Sequence, residues 1–448
     1  MQLSPSIFKA YDIRGIIDQT LDPSIAKLIG QAFGTEMREL GETEIVIGRD
    51  GRLSGPSLIE ALTEGLLSTG INVIDLGMVA TPMVYFGANQ VLDGKKPKSG
   101  IMITGSHNPP NYNGFKMVLG GAAIYGDQIQ ALRKRIEAKQ FASGQGTRSA
   151  FDIFPMYLER IVGDVKLARP MKIAVDCGNG VGGAFAGKLF RALGCEVQEL
   201  FCEVDGKFPN HHPDPAHLEN LQDLIKNLQT TDNELGLAFD GDADRCFLID
   251  EKGQLVTPSA LTALISVREL KRKPNSNIIY NLISSKAVPE VISENGGTPI
   301  RSRVGHSFIK KQMAETNAIF GGEHSGHFYF ADFWRADSGM LAALFALTEL
   351  FETTKPLSEL LKPFNRYVAS GEINTVVKDI PSKLQAIREK YGQDHQIDEL
   401  DGITVSTKDY WFNVRASNTE PLLRLNVEGD TKAIMEKARD AALAIIKA

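Results

Sequence analysis

A short polar loop at residues 104–114, TGSHNPPNYNG, places one serine, Ser106, beside His107 and shortly before Lys116. Glycine, asparagine and proline are the residues that tight turns require, so a plain surface turn is one interpretation. The other is that the end of a strand holds the Ser106 hydroxyl in a fixed pose, as a serine nucleophile must be held to react. The loop matches neither the G-x-S-x-G motif of hydrolases nor the P-loop motif. The residues alone leave both interpretations open.

Three alternating aspartates, Asp240, Asp242 and Asp244, follow the apolar run LGLAF. A chain that leaves a strand in a loop can bring alternate side chains to one point, where like charges repel unless a cation compensates them. A few hard oxygen ligands favour Mg²⁺, with positions left for water, phosphate or a nucleophile. Arg245 either donates to a phosphoryl oxygen there or neutralises the aspartates. The alternative is a solvated acidic loop, which the apolar flanks disfavour.

Two further motifs fit known templates only in part. Residues 240–251 have the acidic spacing of an EF-hand, but Arg245 stands where that template needs glycine and the flanks predict strands instead of helices. Gly178, Gly180 and Gly183 match the dinucleotide-binding pattern G-x-G-x-x-G after a strand. Because the equivalent loops of two sister repeats lack this pattern, we interpret these glycines as positions of tight packing.

The elements that must position these residues recur in the order strand, loop, helix, strand. The repeat occupies residues 44–77, 171–201 and 277–306. In the first copy Leu58 and Leu62 share a helical face, and Gly70 ends the segment. Strands joined through helices predict βαβ units with mixed, mostly parallel sheets. The last stretch alternates strands and then gives an amphipathic helix, which predicts a smaller α+β domain.

We therefore predict three tandem related α/β domains followed by a C-terminal α+β domain. A Gly/Ser/Thr-rich linker lies near residue 150, a turn near residue 253, and the repeat pattern breaks near residue 366. The predicted domains are residues 1–152, 153–253, 254–366 and 367–448.

Composition excludes several classes of protein. With 448 residues, 43% hydrophobic and 23% charged, the chain can bury sizeable cores. A formal net charge of −6 argues against a nucleic-acid-binding surface. The sequence has no long apolar run and no signal-like N-terminus, so we predict a cytoplasmic protein that does not bind a membrane. We also predict no obligate protein partner. The four cysteines lack C-x-x-C spacing and are predicted to be reduced and mostly buried.

Four motifs occur in order, one in each predicted domain: TGSHNPPNYNGFK, FDGDADR, GGEHSGH and RASNTEP. Together with FKAYDIRG near the N-terminus they extend over nearly the whole chain. In these motifs the sequence resembles the α-D-phosphohexomutase superfamily, and most closely its bacterial phosphomannomutase/phosphoglucomutase enzymes. The resemblance implies four domains around a central cleft and a reversible shift of phosphate between C1 and C6 of mannose or glucose phosphates.

The same resemblance implies roles for the phosphoryl-transfer residues. Ser106 would carry a phosphoryl group, and that phosphate would bind one Mg²⁺ together with the three aspartates. Arg14, Lys116 and Arg245 would supply positive charge around the transferring group. His107 would shuttle a proton, contact phosphate or order the loop. The reaction would pass through glucose 1,6-bisphosphate or mannose 1,6-bisphosphate, which reorients in the site.

The resemblance also implies a set of substrate-binding residues. These are Tyr11, His306, Glu323, Ser325, His327, Arg415, Ser417, Asn418 and Thr419. Glu323 and Ser325 would hydrogen-bond two adjacent sugar hydroxyls without selecting one epimer at C2. His306 and His327 are candidates for general acid, general base or ligand contact. The set that begins at Arg415 suits the phosphate that is not reacting.

Two positions depart from the family pattern. Ile283 stands where close relatives carry a basic residue, and Lys286 and Arg303 are candidates to restore that charge. His324 stands where a methionine is common. The alternatives are a phosphoglucosamine or N-acetylglucosamine phosphate mutase of the same superfamily, a metal-dependent sugar phosphatase whose nucleophile is Asp240, and a non-enzymatic sugar-phosphate binder.

Overall fold

The computed structural model describes residues 3–163, 165, 169–417 and 422–448. The chain forms two compact units. Unit one comprises Met1–Thr257 and Ser325–Ser358, and unit two comprises Pro258–His324 and Glu359–Ala448.

Strands and helices alternate through most of the chain. The strands are β1 (Ile13–Ile16), β2 (Glu44–Arg49), β3 (Asn72–Met78), β4 (Ser99–Ile103), β5 (Tyr112–Leu119), β6 (Ala122–Ala123), β7 (Arg148–Ala150), β8 (Lys172–Asp176), β9 (Glu196–Leu200), β10 (Leu235–Phe239), β11 (Cys246–Asp250), β12 (Leu255–Val256), β13 (Asn277–Asn281), β14 (Thr298–Ser302), β15 (Phe320–Gly322), β16 (Phe328–Phe330), β17 (Ala336–Asp337), β18 (Val368–Val376), β19 (Gln396–Asp398), β20 (Ile403–Ser406), β21 (Tyr410–Ala416) and β22 (Leu422–Gly429). The helices are α1 (Pro23–Glu39), α2 (Gly55–Leu67), α3 (Thr81–Gly87), α4 (Asp127–Ala138), α5 (Phe154–Gly163), α6 (Ala186–Ala192), α7 (Gln222–Thr230), α8 (Pro258–Arg272), α9 (Ala287–Glu294), α10 (His306–Thr316), α11 (Gly339–Phe351), α12 (Leu357–Leu360), α13 (Ile380–Tyr391) and α14 (Lys432–Lys447).

The first sheet of unit one has the strand order β1-β5-β4-β2-β3-β7, with β6 on β5. Strands β4, β2, β3 and β7 are parallel, whereas β5 runs antiparallel to both β4 and β1. Helix α1 covers this sheet through buried residues such as Ile29 and Phe33. Asp22 caps its N-terminus, because Asp22 Oδ1 accepts a hydrogen bond from the backbone N of Ile25 at 2.9 Å. The β4–β5 connection carries Ser106.

The second sheet of unit one has the order β12-β11-β10-β8-β9. Strands β9, β8 and β10 are parallel to one another, and β11 pairs with β10 in the antiparallel direction. All five residues of β10 and all five of β11 are buried, so the aspartate loop between them is fixed at both ends. The remaining strands of this unit, β16 and β17, are antiparallel and precede the almost wholly buried helix α11.

Unit two contains the parallel strands β14, β13 and β15 with helices α8, α9 and α10. Its C-terminal part is the antiparallel sheet β18-β22-β21-β20-β19. Helices α13 and α14 pack on that sheet around a core that includes Phe412, Leu425 and Ile446. The predicted α/β units with mixed sheets and the predicted α+β tail are therefore confirmed. The boundaries at residues 152, 253 and 366 stay predictions.

Local details refine the interpretation of the connecting segments. The expected linker near residue 150 contains strand β7, which pairs with β3, because the backbone of Arg148–Ala150 completes the sheet edge. The turn near residue 253 joins β11 to β12 and contains Gly253 with φ of 73°. The EF-hand is excluded because β10 and β11 flank the loop. Gly183 abuts the backbone of Cys202, which supports the packing interpretation of the glycine pattern.

Cys177, Cys195 and Cys246 are buried free thiols, and Cys202 is a half-buried free thiol, as predicted. In the described parts of both units, no helix has the length and apolar character needed to cross a membrane.

Candidate active site

Ser106 lies where the buried strand β4 has just ended. Its backbone is left-handed, with φ of 48°, and 4% of the residue is exposed. A non-glycine residue in this region is strained by about 1–3 kcal/mol, so the surrounding contacts must hold it there. One of them joins the backbone N of Ser106 to Thr104 Oγ1 at 2.7 Å. The Ser106 hydroxyl donates to Asp240 Oδ2 at 3.0 Å, so the serine and the aspartate loop meet.

The three aspartates converge as their spacing predicted. Asp240, Asp242 and Asp244 are at most 1% exposed, and each offers one carboxylate oxygen within 4.8 Å of those of the other two. Within the described chain, Oδ1 of Asp242 and Oδ1 of Asp244 are buried without a hydrogen-bond partner. Buried anionic oxygens of this kind fit a bound divalent cation, which would compensate their charge.

Lys116, on β5, compensates part of that charge. Its Nζ donates to Asp242 Oδ2 at 2.7 Å and also to Asp244 Oδ2. Burial works to raise the pKa of Asp242, but the Lys116 charge outweighs it and lowers that pKa to about 2. Burial and the neighbouring Asp242 charge raise the pKa of Asp244 well above its usual value. The two carboxylates raise the pKa of Lys116 in spite of its burial, so its ammonium stays charged.

Arg245 binds the aspartate loop through part of its guanidinium group and has further N–H donors that are not used there. Its Nε donates to Asp240 Oδ2 at 2.9 Å, and its Nη1 donates to Asp214 Oδ1 at 3.3 Å. The buried Nη2 group has no hydrogen-bond partner among the residues that the structure describes. Arg245 therefore neutralises an aspartate and keeps two N–H groups for an anionic ligand, so the two interpretations of this residue are compatible.

His107 lies beside the serine, and Arg14 lies near enough to His107 for its charge to act on the ring. His107 is half-buried, and its Nδ1 lies 3.3 Å from Ser106 Oγ. Burial, followed by the charges of Arg245 and Arg14, lowers the pKa of His107 well below its ordinary value. The lowered pKa of His107 favours the neutral imidazole. Arg14, on β1, donates to Asp12 Oδ2 at 2.5 Å, and half-buried Tyr11 lies just before that strand.

His327 joins the sugar-loop motif to the aspartate loop within unit one. Its Nδ1 lies 2.8 Å from Ser325 Oγ, and its Nε2 lies 3.6 Å from Asp244 Oδ1. The same Nε2 is 4.0 Å from Asp337 Oδ2. His327, Asp244 and Asp337 thus form a second group with ligand atoms close enough to hold a cation.

The remaining predicted residues belong to unit two. Glu323 is 3% exposed, and its Oε1 accepts from the backbone N of Gly305 at 3.0 Å and from Asn281 Nδ2 at 3.3 Å. His306 begins helix α10. Arg415, on β21, donates to Glu372 Oε2 at 3.0 Å.

His324 and Ser417 lie in the same unit. Burial lowers the pKa of His324 and outweighs the Glu372 charge, which acts to raise it, and the Arg415 charge adds to the lowering. The backbone N of Ser417 donates to Leu422 O at 2.9 Å. Asn418 and Thr419 lie outside the described residues.

The two candidates for the missing basic residue differ in their surroundings. Lys286 is exposed, with its Nζ 3.9 Å from Glu290 Oε1 and 5.4 Å from the centre of the Tyr367 ring. Arg303 directly follows Ser302, the residue of β14 that pairs with the last residue of β13. Since Ile283 follows β13 closely, strand register places Arg303 at the same sheet edge.

Four residues of this site were not predicted from the sequence: Asp50, Arg52, Thr81 and Asp214. Thr81 donates its hydroxyl to Asp242 Oδ2 at 2.5 Å and its backbone N to Asp242 O at 3.0 Å. Asp214 pairs with Arg245. The available signals were a threonine at the start of a helix in VATPM and an aspartate between two prolines in HPDP. Neither signal identifies the distant partner.

The chain matches four family descriptions in order. They are Phosphoglucomutase/phosphomannomutase alpha/beta/alpha domain I at residues 5–143, domain II at 155–253, domain III at 257–367 and the C-terminal domain at 372–445. A phosphomannomutase/phosphoglucomutase of Pseudomonas aeruginosa is 45% identical over 98% of this chain and 94% of its own length. A phosphoglucomutase of Neisseria meningitidis is 45% identical over 99% of this chain and 97% of its own length.

A solved structure agrees with these matches. A phosphoglucomutase/phosphomannomutase family protein of Burkholderia thailandensis has a TM-score of 0.94 and 45% identity, covering 100% of this chain and 98% of that one. The predicted superfamily, enzyme class and fold are thereby confirmed, and the alternative functions are not favoured. The chain belongs to the phosphoglucomutase/phosphomannomutase family of the α-D-phosphohexomutase superfamily and is a hexose-phosphate mutase.

Proposed function

We propose that this enzyme, acting in the cytoplasm, interconverts the 1-phosphates and 6-phosphates of mannose and glucose through a phosphoserine at Ser106. The observation that carries the proposal is the hydrogen bond from Ser106 Oγ to Asp240 Oδ2, which joins the nucleophile to the acidic triad. The hydroxyl is held in a left-handed turn, so little reorganisation precedes attack.

The phosphoryl group moves in two balanced steps. In the first, a sugar hydroxyl loses its proton and attacks the phosphorus of phosphorylated Ser106, the P–Oγ bond breaks, and Ser106 Oγ takes up a proton as the 1,6-bisphosphate forms. In the second, after the intermediate turns end for end, Ser106 Oγ loses that proton and attacks the other phosphate. The bond from that phosphorus to the sugar oxygen breaks, and the sugar oxygen takes up the proton as the product leaves. Neutral His107, 3.3 Å from Ser106 Oγ, is our candidate to take and return the serine proton.

Positive charge around the serine supports this chemistry. Asp240, Asp242 and Asp244 would hold one Mg²⁺ together with the phosphate of Ser106. When bound, that ion would neutralise charge on the phosphoryl oxygens. Lys116 orients the triad, and the Nη2 group of Arg245 is available to a phosphoryl oxygen.

We assign sugar and distal phosphate recognition to the other motifs. Glu323 and Ser325 would bind O3 and O4 of the ring, with His327 orienting the Ser325 hydroxyl at 2.8 Å. Arg415, Ser417, Asn418 and Thr419 would hold the phosphate that is not reacting, and Arg303 would supply the charge absent at Ile283. Tyr11 and His306 complete the proposed substrate-binding set, and Arg14 would supply positive charge around the transferring phosphoryl group.

The deciding experiment is incubation with glucose 1,6-bisphosphate, followed by intact-mass and peptide analysis. We expect one phosphate on Ser106, and a loss of about a thousandfold or more in turnover for Ser106→Ala, because a covalent catalyst is removed. Ser57→Ala is the control, since Ser57 lies on helix α2 and its hydroxyl donates to Ser54 O just before that helix.

Phosphate on Asp240 instead would indicate phosphatase chemistry. Binding of glucose 1-phosphate without turnover, in the presence of Mg²⁺ and the bisphosphate, would indicate a sugar-phosphate binder. Either result would overturn the proposal.

A further inference from the structure

Besides Lys116 and Arg245, a further buried cation, Arg52, lies beneath the serine loop. The side chain of Arg52 has no solvent exposure, and its guanidinium carbon is 5.1 Å from the centre of the Phe208 ring. Arg52 immediately precedes the exposed Leu53 in the connection from β2 to α2. A charged side chain is rarely buried so completely unless it is paired. The partners of the Arg52 guanidinium therefore indicate what this residue does.

The guanidinium donates to four backbone carbonyl oxygens of the serine loop. Nη2 donates to Ser106 O at 2.8 Å and to Asn108 O at 2.6 Å. Nη1 donates to Pro109 O at 2.5 Å and to Tyr112 O at 3.0 Å. One planar side chain thus fixes the direction of four peptide groups, a task that matches the rigid fork of arginine.

Asp50 fixes the opposite end of the same loop. Its Oδ1 accepts from the backbone N of Arg52 at 2.9 Å, and its Oδ2 accepts from Thr104 Oγ1 at 2.7 Å. The Oδ2 atom also lies 3.3 Å from the Nε of Arg52. Asp50 and Arg52 therefore form a pair that holds the loop from the end of β4 to the start of β5.

Glycine at position 105 is required by this arrangement. A Cβ atom there would overlap the Arg52 guanidinium and approach the carbonyl oxygen of Tyr112. The loop thus passes directly over Arg52, and the next residue, Ser106, adopts its left-handed backbone at that point.

We infer that Arg52 is a positioning residue for phosphoryl transfer, because it fixes the Ser106 carbonyl and so aims the Ser106 hydroxyl at the metal-binding aspartates. Among the described residues, Arg52 contacts the serine loop, Asp50 and Phe208 and none of the proposed sugar-binding residues, so the effect belongs to the transfer step and not to substrate affinity. This inference rests on the proposed function, since it assumes that Ser106 is phosphorylated.

The test compares Arg52→Lys with the wild type and with Arg38→Lys. Lysine keeps the charge but has three donors in place of five and no planar fork, so it cannot hold all four carbonyls. Arg38 is a matched control, because its Nη1 donates to another backbone carbonyl of unit one, that of Thr69, at 2.9 Å.

We expect Arg52→Lys to lower kcat and the rate of Ser106 phosphorylation by at least about a hundredfold, with KM for glucose 1-phosphate within about threefold of wild type. Hydrogen exchange should quicken at the amides of residues 104–114 and stay unchanged in α1. Arg38→Lys should retain wild-type kinetics.

Normalising each rate to the folded fraction, measured by unfolding in urea, removes the effect of lost stability. If normalised Arg52→Lys matches the wild type, or if only its KM changes, the inference is wrong. If wild-type Ser106 itself takes up no phosphate, the proposed function fails instead.

Discussion

At the scale of single residues, Lys116 and Asp242 form a buried ion pair in the candidate active site. Their Nζ and Oδ2 atoms lie 2.7 Å apart, and the side chains are 10% and 0% exposed. Removing one partner of such a pair leaves a buried charge without compensation. Lys27 and Glu64, also in unit one, form an exposed ion pair. If either partner is removed, water solvates the charge that remains.

We therefore expect Lys116→Met to lower the free energy of unfolding by roughly 3–5 kcal/mol without Mg²⁺. Lys27→Met, the matched control, should change it by less than about 1 kcal/mol. Added Mg²⁺ should restore part of the loss, because the cation neutralises the same carboxylates. Urea unfolding with and without Mg²⁺ measures both effects. Equal losses in the two variants would mean that the Lys116 charge is not needed to hold the triad together.

The sugar-binding assignment makes a prediction about specificity. Glucose and mannose agree at C3 and C4 and differ at C2, so a site that binds O3 and O4 through Glu323 and Ser325 should turn over both 1-phosphates within about tenfold, or ~1.4 kcal/mol. Galactose 1-phosphate, inverted at C4, should be much poorer because it leaves a buried polar group unpaired. Glu323→Gln should lower kcat/KM for glucose and mannose alike.

Measured kcat/KM values for the three sugars on both enzymes check this assignment. A mannose preference above about a hundredfold, or good turnover of galactose, would contradict it.

At the scale of elements, the ends of strands bring together residues that are distant in sequence. Strand β1 carries Arg14 and is held by pairing with β5, in which Arg14 lies opposite Gly114. A Cβ at Gly114 would meet the carbonyl of Ile13 and the Cα of Arg14. The glycine is therefore what lets β1 approach and place Arg14 beside the serine loop.

Gly114→Ala should separate β1 from β5, lower the midpoint of thermal unfolding and reduce kcat, because Arg14 is displaced. Gly163→Ala is the control, since it lies at the end of helix α5 and no atom of the described residues is within 4 Å of the added Cβ. It should leave activity unchanged and be neutral or slightly stabilising. Calorimetry measures the midpoint of thermal unfolding of each variant, and initial rates measure its kcat. An unaltered Gly114→Ala enzyme would show that the pairing of β1 does not position Arg14.

The sequence predicted those parts of the site that depend on local pattern. Alternating aspartates after an apolar strand were enough to predict convergence, and βαβ periodicity was enough to predict mixed sheets. Thr81, Asp214 and Arg52 were missed because their roles depend on contacts between segments far apart in sequence. Strand β7 was missed because three residues in a polar stretch show no period, and only pairing with β3 defines them.

At the scale of the whole molecule, the proposed functional residues are divided between the two compact units. Unit one contains Ser106, the three aspartates and the surrounding positive charges. Unit two contains Glu323 and Arg415, whereas Ser325 belongs again to unit one, so the GGEHSGH motif is divided. Each unit also has its own hydrophobic core. We therefore assign the proposed phosphoryl transfer to unit one and much of the proposed substrate recognition to unit two, and each unit has its own core.

This division predicts where Mg²⁺ stabilises the protein. A ligand that binds only the native state adds stability according to its concentration relative to Kd, about 2.7 kcal/mol at a hundredfold excess. Because all three aspartates are in unit one, Mg²⁺ should slow hydrogen exchange in strands β8 and β10 and leave β21 and β22 unchanged. Asp242→Asn should weaken the effect, whereas Asp232→Asn, which alters an exposed aspartate of the same unit, should preserve it. Equal protection of both units by Mg²⁺ would mean that they unfold together, and protection of β21 and β22 alone would place the metal elsewhere.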